Sequence, residues 1–154
     1  PQLVRRTILT FKRLNLGLFL IICGLFKKIV IADSIAPLVN DIFANPQIFS
    51  SVDHTLAVLG FTIQIYCDFS GYSDIAIGLA LLMGFRIKKN FNYPYLSSSL
   101  REFWKRWHIS LSSWFRDYLY IPLGGNRINR TRTNFNLFVV ASVTLHVVVP
   151  ENVC

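Results

Sequence analysis

An apolar run of 31 residues, from Thr55 to Phe85, limits what this chain can fold into. Its sequence is TLAVLGFTIQIYCDFSGYSDIAIGLALLMGF, and only Asp68 and Asp74 in it are charged. A helix needs about 20 apolar residues to cross a bilayer, so the run suffices for one span and part of another. Charged residues make up 16% of the whole chain, against about 25% in a typical soluble domain. We therefore interpret the chain as a membrane protein.

The stretch FSGYS places Gly71 between small polar residues, where a helix can bend or break. We expect two helices to meet near Gly71, with Asp68 and Asp74 beside the break. An ionisable side chain at membrane depth costs at least about 2.5 kcal/mol on insertion scales, so it faces a cavity or a partner. Two roles stay open for these carboxylates: proton relay, or structural pairing with Lys or Arg of another helix.

A shorter apolar run, Leu14 to Phe26, is interrupted by Lys27 and Lys28. Because its 13 residues are too few for a span, the lysines must reach an interface, or the helix must be tilted or broken there. The connector from Asp33 to Ser51 has apolar residues at helical spacing, which predicts a short amphipathic helix at the interface. Within it, the sequence ANPQ predicts a turn.

The stretch REFWKRWHISLSSWFRDYLYIPLGG, residues 101–125, holds all three Trp residues of the chain. Ser99 and Glu102 form a capping box that predicts a helix beginning near Leu100. This helix would be aromatic on one side and basic on the other, which is typical of an interfacial or buried position. A turn is predicted at Pro122–Gly125 and a further span at Phe135–Val149. The fold class is therefore all-α: a fragment of a polytopic transmembrane helix bundle with interfacial or re-entrant amphipathic helices.

The net charge of +8 indicates anionic membrane surfaces more than nucleic acid, since the basic residues flank apolar runs. We expect Arg86–Lys89 and Arg127–Arg132 to face the cytoplasm. The three cysteines show no metal or redox spacing, and no metal is expected.

No Walker loop, nucleophile elbow or zinc motif is present, so the candidates for site chemistry are the intramembrane carboxylates and the histidines, among them His108 beside aromatic and basic residues. An apolar, cationic environment lowers the pKa of a histidine and keeps it neutral, so it could act as a general base toward a hydroxyl. The alternative is an interfacial histidine bonded to a carbonyl. His54 is expected in a solvated connector.

Three stretches, GLFKKIVIAD, QIYCDFSGYSDIAIGLALLMGF and KNFNYPYLSSSLREFWKRWHISLSSWFRDYLYIPLGGNR, resemble the membrane-bound O-acyltransferase family. The likeness runs from about Arg5 to about Val143. It implies a multi-pass enzyme of the bacterial inner membrane that passes an acetyl group to hydroxyls of an exported, alginate-type polysaccharide. The donor would be acetyl-CoA or another cytoplasmic thioester, with no bound cofactor. Implied partners are membrane lipid, extracytoplasmic acetyl-transfer proteins and the polysaccharide, and not nucleic acid.

On this resemblance, His108 matches the first histidine of the family's active-site pair. Arg106, Arg116 and Arg127 would bind the donor's phosphates, and the tryptophans would wall a tunnel. The second family histidine lies in a W-H-G motif, whereas this chain reads VVASVTLHVVVPENVC. His146 falls near the right distance but lacks the Trp and the Gly. Either it is a degraded copy of that histidine, or the tail has diverged or arises from a frame error.

We expect residues 1–154 to form a single partial domain of that family, with helices missing at both ends, and to be inactive alone. The competing class is a proton-coupled transporter or channel, because paired carboxylates around a glycine break occur at transport sites. A non-catalytic membrane scaffold is the third alternative.

Overall fold

The computed structural model of the chain describes residues 9–125, 127 and 129–148. Two compact units make up the chain, Pro1–Phe91 and Asn92–Cys154. All regular secondary structure in the described part of the chain is helical, and no strand occurs there. The predicted all-α class is confirmed.

Two long helical stretches form the first unit. The first begins with α1 (Phe11–Leu25), passes through a π-helical segment (Phe26–Ala32) and continues as α2 (Asp33–Ala44). A turn leads into α3 (Ser51–Leu82), a single helix of 32 residues. Both stretches are long and apolar enough to cross a membrane.

The outer surface of α1 is apolar. Phe11 is 77% exposed, Phe19 62% and Ile22 64%. Exposed apolar patches of this kind mark contact with a membrane or with another protein. The membrane character predicted from composition is therefore visible in the folded chain.

Gly71 does not break the helix, and that prediction is wrong. A Cβ placed on Gly71 would lie 2.7 Å from the carbonyl oxygen of Gly24, and one on Gly24 would lie 2.5 Å from that of Gly71. Gly17 and Gly78 meet in the same way, with Cβ-to-oxygen distances of 3.0 and 2.6 Å. Small residues let two helix backbones approach closely within a membrane. Gly71 therefore allows α3 to pack closely on α1. Its lack of a side chain does not bend α3.

The interruption at Lys27 and Lys28 is a π-helical segment, so the helical stretch continues through it. The amphipathic helix predicted in the connector is confirmed as α2, where Val39 and Ile42 are buried. Helix α2 continues the first helical stretch and is not a separate helix. The turn predicted at ANPQ is also confirmed.

In the described residues of the second unit there are four short helical pieces and one longer helix. A 3-10 turn (Pro94–Leu96) precedes α4 (Leu100–Arg106), which is followed by α5 (Ile109–Phe115) and a π-helical segment (Arg116–Tyr120). The longer helix, α6 (Arg130–Val148), covers the predicted span up to residue 148.

The prediction of one continuous amphipathic helix from Leu100 is wrong. It begins at Leu100 as predicted, but it breaks between Arg106 and Ile109. Trp107 is extended, and His108 has φ 39° and ψ 60°. The left-handed region is sparsely populated by residues other than glycine, and an α-helix cannot pass through it.

The capping box at the start of α4 is shifted by one residue. The Ser99 hydroxyl accepts the Glu102 N–H at 3.2 Å, as expected. The Glu102 carboxylate accepts the N–H of Ser98 at 2.9 Å and its hydroxyl at 2.8 Å, not the N–H of Ser99. These bonds from Ser98 hold the pKa of Glu102 below its usual range.

The break also divides the predicted aromatic stripe into two groups. Trp107 is buried and stacks on Phe103, with ring centroids 5.5 Å apart and planes at 18°. Trp114 stacks on Tyr118 at 5.5 Å and is 54% exposed. Because the chain turns at His108, the two groups do not lie along one helix face.

Replacement of Gly71 by alanine tests the close contact between α1 and α3. Gly71→Ala would press a methyl group against backbone, whereas Gly60→Ala would meet the side chains of Val39 and Ile35 at 3.0 and 3.4 Å. Both changes gain helix propensity, so the difference isolates packing. We expect Gly71→Ala to destabilise the protein by about 1–3 kcal/mol relative to Gly60→Ala, the usual cost of overpacking. Thermal unfolding of the full-length protein in detergent measures this, and equal melting temperatures would contradict the contact.

Candidate active site

Two lysine–aspartate pairs connect the π-helical segment Phe26–Ala32 to α3. The Lys27 ammonium lies 2.7 Å from the Asp74 carboxylate, and the Lys28 ammonium lies 2.6 Å from that of Asp68. Lys28 also lies 3.3 Å from Asp33. Of the two roles left open for Asp68 and Asp74, structural pairing is the one that this geometry shows, and a relay stays a prediction.

The glycine contact explains why both lysines reach α3. Asp68 and Asp74 lie three residues before and three after Gly71. A Cβ on Gly71 would sit 3.2 Å from both the Lys27 Cβ and the Lys28 backbone nitrogen. Successive residues of an α-helix point about 100° apart, and the wider π-helical turn reduces that angle. Two adjacent lysines can therefore face one helix, each with a carboxylate on its own side of the contact.

His108 is the cap residue of α5 in the second unit. Its Nδ1 accepts the Leu111 N–H at 3.3 Å, and the Ser110 hydroxyl lies 3.5 Å from the same nitrogen. Because an amide N–H only donates, Nδ1 holds a lone pair in this arrangement. Burial lowers the pKa of His108 below its usual value of about 6.5, so the imidazole is neutral at physiological pH. The predicted neutral state has a geometric basis, namely a cap that needs an unprotonated Nδ1.

Sequence reasoning missed the corner at Trp107–His108 and the residue that spans it. The Ser112 hydroxyl donates to the carbonyl oxygens of Trp107 and Trp104, at 3.2 and 3.4 Å. Helical spacing of the aromatic residues continues across the corner, which hid it. The signal was the cluster of three serines after His108, because serine hydroxyls compete with helix hydrogen bonds.

Two of the three arginines predicted to bind donor phosphates hold carboxylates of their own unit. Arg106 lies 2.6 Å from Glu102, and Arg116 lies 2.8 Å from Asp117. The Asp117 carboxylate raises the pKa of Arg116 further. Arg127 is exposed and follows the glycine turn.

The predicted turn at Pro122–Gly125 is confirmed, and α6 anchors it. Gly124 and Gly125 have φ of 103° and 51°, which glycine adopts without strain. The buried Asn136 side chain donates to the Leu123 carbonyl at 3.0 Å, and the Thr133 hydroxyl to that of Gly125 at 3.4 Å. Two side chains of α6 therefore hold the turn that precedes the basic residues.

The other two histidines lie in α6 and α3. His146 lies in α6, and its side chain lies outside the described residues. His54 is half-buried in the first turn of α3, with Nδ1 2.8 Å from the Ser50 carbonyl oxygen. The prediction that His54 lies in the connector is wrong, because α3 begins earlier than its apolar run, but its bond to Ser50 is exposed to solvent.

One family model and several known proteins match this chain. The model of the MBOAT, membrane-bound O-acyltransferase family matches residues 2–144. The chain is 57% identical over 118 residues to the "Probable alginate O-acetylase AlgI" of Pseudomonas aeruginosa, which covers 75% of this chain and 22% of that protein. It is 42% identical over 132 residues to the "Peptidoglycan O-acetyltransferase" of Helicobacter pylori, covering 86% and 25%.

A relative with a different printed activity is the "Teichoic acid D-alanyltransferase" of Bacillus subtilis. It is 42% identical over 66 residues, which cover 43% of this chain and 17% of that protein. The chain thus spans a quarter or less of the length of these three relatives.

The two ion pairs predict unequal effects of removing their carboxylates. Asp74→Asn removes the carboxylate that Lys27 binds, and an unpaired lysine in a membrane costs about 2.5 kcal/mol or more. Asp68→Asn leaves Lys28 beside Asp33, so we expect a smaller loss. Folded protein in membranes and the melting temperature in detergent measure both.

Exchange of the charges, Lys27→Asp with Asp74→Lys, should recover much of the loss. An effect of Asp68→Asn equal to or larger than that of Asp74→Asn would contradict the predicted inequality. No recovery on exchange would show that the pair Lys27–Asp74 does not stabilise the fold.

Proposed function

Since the chain belongs to the membrane-bound O-acyltransferase family, we propose that it contributes the His108 segment of a membrane O-acetyltransferase. This enzyme moves an acetyl group from a cytoplasmic thioester to hydroxyls of an exported polysaccharide of the alginate type. The relatives' names support the acetyl group and a glycan acceptor. The observation that carries the proposal is the neutral, half-buried imidazole of His108, held at a corner of the chain.

The chemistry needs one base that is neutral in a partly buried site. The imidazole of His108 takes the proton of the acceptor hydroxyl while that oxygen attacks the carbonyl carbon of the thioester. The C–S bond then breaks, and the leaving thiolate takes the proton from the imidazolium. Proton and acetyl group are both accounted for, and the base returns to its starting state.

The ring nitrogen that takes the proton is Nδ1 in this proposal. The Leu111 N–H leaves the lone pair on Nδ1, and at 3.3 Å its bond is long. The acceptor hydroxyl would replace this N–H at the lone pair. Partial burial supports the base further, because a less solvated imidazole stays unprotonated.

The donor is proposed to be acetyl-CoA or a similar acyl thioester, whose phosphates suit a guanidinium. Arg127 is the first of the three predicted arginines to consider, because Arg106 and Arg116 hold carboxylates. In those two, the neighbouring carboxylate already offsets the positive charge that would attract a phosphate. No cofactor is proposed beyond this donor.

The family and the two candidate spans support a location in a membrane. We propose a multi-pass protein of the bacterial inner membrane, with Arg86–Lys89 and Arg127–Arg132 on the cytoplasmic side. Membrane lipid, the polysaccharide acceptor and extracytoplasmic acetyl-transfer proteins are its proposed partners. A transporter is not proposed, because α3 does not break at Gly71 and both carboxylates hold lysines.

Replacement of His108 by glutamine tests the base. Glutamine can form hydrogen bonds but cannot take a proton, so we expect acetyl transfer to fall by about 10²-fold or more, the usual scale for a general base. The matched control is His54→Gln, a histidine bonded in its own helical turn. Transfer of radiolabelled acetyl groups from acetyl-CoA to exported polymer is measured in membranes that carry the full-length protein.

Protein amounts are matched by immunoblot before rates are compared. If His108→Gln keeps transfer near that of His54→Gln, then His108 is not the base. The corner at His108 would then be only a structural element.

A further inference from the structure

The corner before α5 leaves carbonyl groups of α4 without the partners that a continued helix would supply. The last carbonyls of any helix lack intrahelical donors and need others. The Arg106 carbonyl accepts the N–H of Asn92 at 3.0 Å. The carbonyls of Trp104 and Trp107 accept the hydroxyl of Ser112, which belongs to the next helix.

We propose that Ser112 is a positioning residue for His108, because its hydroxyl ties the backbone on both sides of the left-handed corner together. The bond from Ser112 to Trp107, at 3.2 Å, ends on the residue directly before His108. Its backbone N–H binds the carbonyl oxygen of His108 itself, at 3.0 Å. Ser112 therefore hydrogen-bonds to both peptide groups that flank the Cα of His108, and these set the position from which its side chain extends.

The first turn of α5 also holds the ring. The Leu111 N–H donates to Nδ1 of His108, and Leu111 is the neighbour of Ser112. Before the acceptor binds, adjacent residues of the same turn thus hold both backbone and ring. Once the acceptor hydroxyl replaces the Leu111 N–H, the bonds from Ser112 to the backbone remain. Without the Ser112 hydroxyl, α4 and α5 lose a direct tie, and the strained corner can relax toward an ordinary backbone conformation. The ring would then move relative to any substrate bound against α4.

Ser113 provides a matched control within the same turn. Its hydroxyl donates to the Ile109 carbonyl at 2.7 Å, and both residues lie inside α5. Ser113 has the same chemistry and comparable burial, and it lies one position away. Its bond does not cross the corner, so its loss should leave His108 in place.

The inference rests on the proposed function and is tested in membranes that carry the full-length protein, with radiolabelled acetyl-CoA as donor. We expect Ser112→Ala to lower kcat by about 10-fold or more, since small displacements of a reacting group cost that much or more. The KM for acetyl-CoA should change by about 2-fold or less, because Ser112 touches no donor in this proposal. Ser112→Thr keeps the hydroxyl and should recover most of the rate, and Ser113→Ala should match the unchanged protein.

Three results would overturn the inference: equal rates for Ser112→Ala and Ser113→Ala, no recovery in Ser112→Thr, or a loss no larger than the loss of folded protein. Folded protein is measured by thermal unfolding in detergent, so a mere folding defect is recognised. The His108→Gln variant is assayed beside them. If it loses transfer while Ser112→Ala does not, the proposed function stands and only the positioning role fails. If it keeps transfer, the proposed function itself fails.

Discussion

The close contact of Gly24 with Gly71 is the constraint on which the first unit depends. It brings the backbones of α1 and α3 together, and this places Lys27 and Lys28 within reach of Asp74 and Asp68. The glycine contact and the ion pairs depend on each other. Charged side chains in a membrane need partners, and the lysines reach theirs only because the two helices meet at glycines, which have no side chain. The π-helical segment lets two adjacent lysines face one helix. The result is two candidate spans packed in one register, with two lysine–aspartate pairs that link them.

The main feature of the second unit is the corner that holds the imidazole of His108. Its helix is interrupted at His108, and the interruption is stabilised locally by the stacked ring of Trp107 and by hydrogen bonds from the first turn of α5. Nδ1 of His108 caps α5 by accepting the Leu111 N–H, and this bond needs an unprotonated Nδ1. Cap geometry and partial burial therefore favour the same protonation state. A base on a regular helix would have neither the strained corner nor the cap.

The sequence predicted the features that depend on local chemistry. Apolar length indicated the membrane, the serine before Leu100 indicated the start of α4, and the Pro–Gly pattern indicated the turn at Pro122–Gly125. Features that depend on distant residues were missed. The role of Gly71 depends on Gly24, 47 positions away, and Lys27 meets Asp74 at the same separation. The corner at His108 was missed because helical spacing of aromatic residues continues through it. His108 itself was found from its residue type and from the family resemblance, whereas the bonds of Ser112 across the corner were visible only in the folded chain.

The central claim is that a neutral His108 is the base for acetyl transfer, and the pH dependence of the rate tests it most directly. The rate of transfer from radiolabelled acetyl-CoA is measured in membranes carrying the full-length protein, from about pH 4.5 to 8, across the titration range of histidine. The neutral form is the active one, and burial lowers the pKa of His108. The rate should therefore be constant near neutral pH and fall only on the acid side, with a midpoint below about 6.5. A midpoint at or above that value, or a rate that rises as the imidazole becomes protonated, would contradict the account.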